Sequence, residues 1–145
     1  MKFAVTVLSV FAVLIASASA QNEKVDQAKE MLRGLAAECK TKEGASDADL
    51  EVFINDEPLA TPQQKCLAAC LMEQFGASDG KSFQEAGFIE VGKMYLKDDS
   101  AKIELLTQIA ADCKQVANAD RCELAVQIST CLKDSAAKHG MAFKH

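Results

Sequence analysis

The sequence predicts an all-α fold, a compact bundle of about six helices. Three observations carry this. Apolar residues recur at steps of three and four wherever they form a pattern, as they do on one face of a helix. Several of these patterns open on a well-formed helix start, such as Thr61-Pro62-Gln63-Gln64. No stretch alternates β-branched and polar residues as a half-buried strand would, and no internal repeat is present.

Residues 1–20 are expected to be a secretory signal peptide and not part of the fold. Lys2 precedes the mostly apolar run from Phe3 to Ile15, which is followed by the small residues Ala18-Ser19-Ala20. The apolar run is too short to span a bilayer, and nothing later is continuously apolar for about 18 residues. Cleavage after Ala20 leaves residues 21–145 as one domain. Removing Lys2 leaves 15 of the 16 basic residues against 21 acidic ones, a net charge of about −6. No basic cluster remains to recruit nucleic acid or an anionic membrane.

Val25, Ala28, Leu32, Leu35 and Cys39 form one stripe on a first helix. Ser46 and Asp49 resemble a capping box that opens a short second helix through about Ile54, and the turn-like Asn55-Asp56-Glu57-Pro58 ends it. The third helix starts at Thr61-Pro62 and stops at Gly76, followed by a loop that turns at Asp79-Gly80. A weaker fourth helix covers Gln84 to about Leu96, with Gly87 and Gly92 lowering its helicity. Asp98-Asp99-Ser100 caps a fifth, whose inner face carries Ile103, Leu106, Ile109, Ala110 and Cys113. Asp120 and Glu123 read as another capping box, opening a sixth helix to about Lys138 that Gly140 terminates.

All six cysteines lie after residue 20. In an oxidising compartment an even set is read as a disulfide framework. Six cysteines allow fifteen pairings. Cys66 and Cys70 point in parallel from one helix, and bridging them strains both rotamers. Cys122 and Cys131 are nine residues apart on one helix, about 13.5 Å at about 1.5 Å per residue, beyond disulfide reach. Ten pairings survive, and all of them send two staples from the third helix to other parts of the chain. Zinc requires four ligands, and no His lies near Cys66 or Cys70. A redox pair favours C-x-x-C, not the C-x-x-x-C found here.

With its spacing C-x26-C-x3-C-x42-C-x8-C-x8-C and the segments GASDADL, KCLAACLMEQFG and CLKDSAAKHG, the chain resembles the insect odorant-binding proteins of the general and pheromone-binding (PBP/GOBP) family. The resemblance spans Gln21 to His145. It implies interlocked disulfides, Cys39–Cys70, Cys66–Cys122 and Cys113–Cys131, around an apolar cavity. It also implies a secreted carrier of odorants, pheromones, long-chain alcohols or fatty acids, delivering them through aqueous fluid to olfactory receptors. An odorant receptor or a second copy is the macromolecular partner it suggests.

Candidate lining residues are Leu71, Met72 and Phe75 on the third helix, Phe88, Val91, Met94 and Tyr95 on the fourth, Leu106 and Ile109 on the fifth, and Val126 and Ser129 on the sixth. Each also fits ordinary core packing, which leaves the same stripe. Met72 and Met94 suit guests of varied shape, and Tyr95 or Ser129 offers a polar anchor. In the tail, Met141 and Phe143 are placed to fold over a pocket, as tails do in this family. His139 and His145 are the side chains that titrate near neutrality there, which makes the lid pH-sensitive on this reading.

No catalytic residue, metal site or cofactor is expected. Neither His sits in a motif with a nucleophile, and the thiols are consumed by disulfides. Two alternatives are a non-olfactory carrier on the same fold and a saposin-like lipid-interacting protein, whose cysteines cluster toward the chain ends.

Overall fold

The computed structural model describes residue 27, residues 29–97, with Tyr95 in its backbone only, and residues 99–140. The expected signal peptide, the expected lid residues Met141, Phe143 and His145, and Val25, Ala28 and Asp98 of the helix patterns lie outside them. The chain divides into two compact units, Met1–Leu35 and Ala36–His145. In the first, residues 29–35 are helical and Glu30 pairs with Arg33 one turn on. The second, over its described residues, holds six helices: α1 (residues 36–43), α2 (Asp47–Ile54), α3 (Pro62–Gln74), α4 (Glu85–Leu96), α5 (Ser100–Asp112) and α6 (Arg121–Lys138). None of the described helices is long and apolar enough to cross a membrane.

The helix starts follow from local chemistry. Ser46 accepts from the Asp49 amide at 3.2 Å while Asp49 accepts from the Ser46 amide at 2.9 Å. Thr61 and Gln64 make the same reciprocal pair, with Pro62 at the first helical position. Asp99 caps α5 through the Lys102 amide. At α6 the expected capping box is half formed. Asp120 accepts from the Cys122 and Glu123 amides, but its own amide donates to Asn118 Oδ1 at 2.9 Å. The Glu123 carboxylate is drawn away by Lys65 of α3, at 3.0 Å. Gly76 and Gly140 end α3 and α6 at φ 78° and 79°, a conformation that favours glycine.

α3 is the central helix. It packs most extensively on α6 and also supports α2, while α4 lies on α5. The run Leu67-Ala68-Ala69-Cys70-Leu71-Met72 is buried along its length, and its alanines let neighbours approach closely. Ala68, Ala69 and Met72 join Ala110 and Cys113 of α5 and Leu124, Ala125 and Ile128 of α6 in one core, completed by Ala77 and Phe83 from the α3–α4 loop. That loop is tied down twice. Asp79 accepts from the Lys81 and Ser82 amides, and residues 81–83 pair with residues 116–118 through Phe83 N to Val116 O and Asn118 N to Lys81 O, both 2.9 Å.

Three disulfides lock the arrangement: Cys39–Cys70 joins α1 to α3, Cys66–Cys122 joins α3 to α6, and Cys113–Cys131 joins the end of α5 to α6. No free cysteine is left. The pairing is one of the ten that helix geometry permits.

Candidate functional site

Between α2, α4, α5 and α6 lies a cavity of about 740 Å³, partly open to solvent and mainly apolar. Its size falls within the range of small-molecule sites, roughly 300 to 1,000 Å³. α4 contributes Phe88, Gly92 and Leu96, spaced by four, and α5 contributes Lys102, Leu106 and Ile109. α6 supplies Val126, Ser129, Thr130 and Lys133 along one stripe, with Leu132 and Asp134 beside it. Met72 closes the α3 side, and Phe53, Ile54 and the turn Asp56-Glu57-Pro58-Leu59 close the α2 side.

Six residues singled out in the sequence meet on this wall: Met72, Phe88, Leu106, Ile109, Val126 and Ser129. Four others do not. Leu71 is fully buried but sits on the neighbouring face of α3, one position round from Met72. Phe75 is the C-cap of α3, where the chain is already turning away. Val91 flanks the α4 stripe formed by Phe88, Gly92 and Leu96. At about 100° per residue, Met94 falls on the far side of α4, and it is 70 % exposed. The side chain of Tyr95 and the whole of Phe143 lie outside the described residues.

Sequence reasoning misses the α2–α3 turn because its signal there is that of a helix stop. Phe53 and Leu59 are apolar residues flanking Asn55-Asp56-Glu57-Pro58, and that bracketing is the clue available. Gly92 reads in the sequence as a helix weakener, yet a Cβ there would lie 1.9 Å from Leu106 Cδ2. Its missing side chain lets α4 and α5 close against each other at the cavity wall.

The polar groups of the wall lie mostly where α6 meets the α2–α3 turn. Lys133 Nζ donates to the Asp56 carbonyl at 2.8 Å and lies 3.3 Å from its carboxylate. Further along α6, Ser135 Oγ donates to Asp112 Oδ2 at the end of α5, 2.7 Å away, and His139 Nε2 lies 3.0 Å from the same oxygen. The Ser135 hydroxyl, followed by His139, holds the Asp112 carboxyl below its usual range. In this trio the carboxylate stands between Ser135 and His139, so the hydroxyl faces a weakly basic carboxylate in place of the imidazole, the reverse of a Ser-His-Asp triad. His139 is not part of the cavity wall. Among the described residues no group of three or more His, Cys, Asp or Glu side chains is placed to hold a metal.

Fold and cavity together define a disulfide-clamped helical protein with room for an apolar guest. The chain belongs to the PBP/GOBP family, whose model matches residues 21–135. It is 34 % identical to general odorant-binding protein 28a of Drosophila melanogaster over 93 % of this chain and 96 % of that protein. Among solved structures it is similar to odorant-binding protein dmelOBP28a from Drosophila melanogaster, with TM-score 0.69 and 31 % identity over 81 % of this chain and 99 % of that one. It is also similar to the fatty acid binding protein OBP56a from the oral disk of the blowfly Phormia regina, with TM-score 0.60 and 25 % identity over 77 % and 94 % of the two chains. Membership of this family displaces the saposin-like alternative.

Proposed function

We propose that the protein is a secreted carrier. It takes small hydrophobic molecules, such as odorants, pheromones or long-chain alcohols and acids, into the cavity between α2 and α6 and transports them through extracellular fluid to olfactory receptors. The observation that carries this reading is the apolar cavity of about 740 Å³ inside a disulfide-clamped shell. Residues 1–20 support export, and the blowfly relative described as a fatty acid binding protein supports the ligand class.

Burial of about twelve ligand methylenes contributes about 10 kcal/mol at about 0.8 each, and association costs about 4 kcal/mol or more. Hydrophobic burial alone therefore reaches tens of micromolar affinity, and a polar anchor tightens it. Binding and release require no covalent chemistry. Displacement of an environment-sensitive apolar fluorophore by a panel of long-chain alcohols, acids and aromatic odorants tests the reading. Saturable displacement at micromolar concentration is expected; a folded, oxidised protein that takes up no probe would refute it.

A further inference from the structure

The polar edge of the cavity is built asymmetrically. Lys133, 34 % exposed in its side chain, reaches from α6 to Asp56. An ammonium has three N–H donors, and among the described residues Asp56 is its partner, through the carbonyl and one carboxylate oxygen. At least one donor is left over beside the cavity. One turn back on the same stripe, the hydroxyl of the half-buried Ser129 makes no hydrogen bond among the described residues. The edge therefore offers donors to a guest.

Charge restricts which guest completes them. The Lys133 ammonium is already balanced by the Asp56 carboxylate 3.3 Å away. Around the wall stand Asp56, Glu57 and Asp134 against Lys102 and Lys133, three acids to two bases, and Lys102 is itself paired with Asp99 at 3.5 Å. An anionic head would have to compete with Asp56 for the same ammonium while lying beside its negative charge. An uncharged oxygen needs only the free donor.

Asp56 also occupies a position at which glycine is the usual choice. It follows the C-cap of α2 with φ 56°, and the paired bonds Glu57 N to Val52 O and Asp56 N to Phe53 O form the glycine-type helix ending. What aspartate adds there is a carboxylate aimed at Lys133.

Resting on the carrier reading above, we propose that Lys133 and Ser129 anchor the head of an uncharged amphiphile, an alcohol or carbonyl compound with a long hydrocarbon chain. Asp56 is the selectivity residue that turns away anionic heads.

The test compares dodecanol, dodecanoate and dodecane as competitors of an apolar fluorophore, at a pH where the acid is ionised, in wild type, Asp56→Asn and Lys133→Met. Asparagine tolerates the left-handed backbone, so Asp56→Asn removes the charge and keeps the turn; an unchanged helical spectrum checks this. Wild type is expected to bind dodecanol at least about tenfold more tightly than dodecanoate. Asp56→Asn should shrink that ratio at least about fivefold by gaining dodecanoate affinity. Lys133→Met should weaken dodecanol and leave dodecane unchanged.

A wild-type preference for dodecanoate, or a ratio unaltered by Asp56→Asn, overturns the inference while leaving the carrier intact. If neither fluorophore nor dodecane enters the wild-type protein, the carrier reading itself fails. If Lys133→Met does not fold, Asp56→Asn decides alone.

Discussion

Two glycines on the same helix separate structural from functional roles. A Cβ on Gly87 would lie 1.8 Å from the Gly76 carbonyl oxygen, a backbone atom at the end of α3 that cannot step aside. Gly87→Ala is therefore expected to cost more than about 2 kcal/mol, read as a lower midpoint in denaturant. At Gly92 the obstacle is the tip of the Leu106 side chain, which can rotate into the cavity. Gly92→Ala should lower ligand affinity more than stability, and equal stability losses in the two variants would contradict this division. Both glycines are visible in the sequence as helix weakeners, but which neighbour each meets depends on helix packing that spacing does not encode. Asp112 gives a pH prediction. Its carboxyl is held low by Ser135 and His139, so its contribution is present above the usual carboxylate range and is lost as pH falls through its depressed value. The melting temperature of wild type should drop on acidification. Asp112→Asn should begin lower at neutral pH and show a shallower acid decline; an identical decline would assign the acid sensitivity elsewhere.

At the scale of elements, the helices are legible because their ends are chemically marked. Ser46, Thr61 and Asp99 each accept an amide hydrogen bond at the helix start they announce, and Gly76 and Gly140 close α3 and α6. Asp120 shows where such reading stops: the local motif promises a reciprocal bond from Glu123, and a lysine on a different helix takes that carboxylate. The pairing of residues 81–83 with residues 116–118 is likewise a tertiary fact without a local signal. The cysteine spacing narrows the disulfides to ten pairings, after which topology decides. In the structure the crosslinks close segments with sequence separations of 56, 31 and 18. Chain-entropy reasoning assigns them about 4 kcal/mol for the longest and about 3 for the shortest. Pairwise Cys→Ala replacement should lower the melting temperature most for Cys66 and Cys122, next for Cys39 and Cys70, and least for Cys113 and Cys131. The reverse order would show that native-state strain or denatured-state structure outweighs loop closure.

For the whole molecule, three crosslinks converge on α3 and α6 and relieve the remaining helices of filling their centre, so a cavity persists between α4, α5 and α6. Six of the ten lining candidates whose side chains fall among the described residues stand on this wall, because a helical stripe reveals that a face is buried, not whether it meets protein or empty space. Phe88 and Met94 divide on that point. They are six residues apart on α4, one on the cavity wall and one 70 % exposed. The chain contains no tryptophan, so a single indole placed at either position reports its own surroundings without background. The most direct measurement is the fluorescence of the variants Phe88→Trp and Met94→Trp during titration with dodecanol. A guest in the cavity should shift or quench the emission of Phe88→Trp saturably and leave that of Met94→Trp unchanged. A response in Met94→Trp alone, or the same response in both variants, would place the ligand outside the cavity and contradict the central claim.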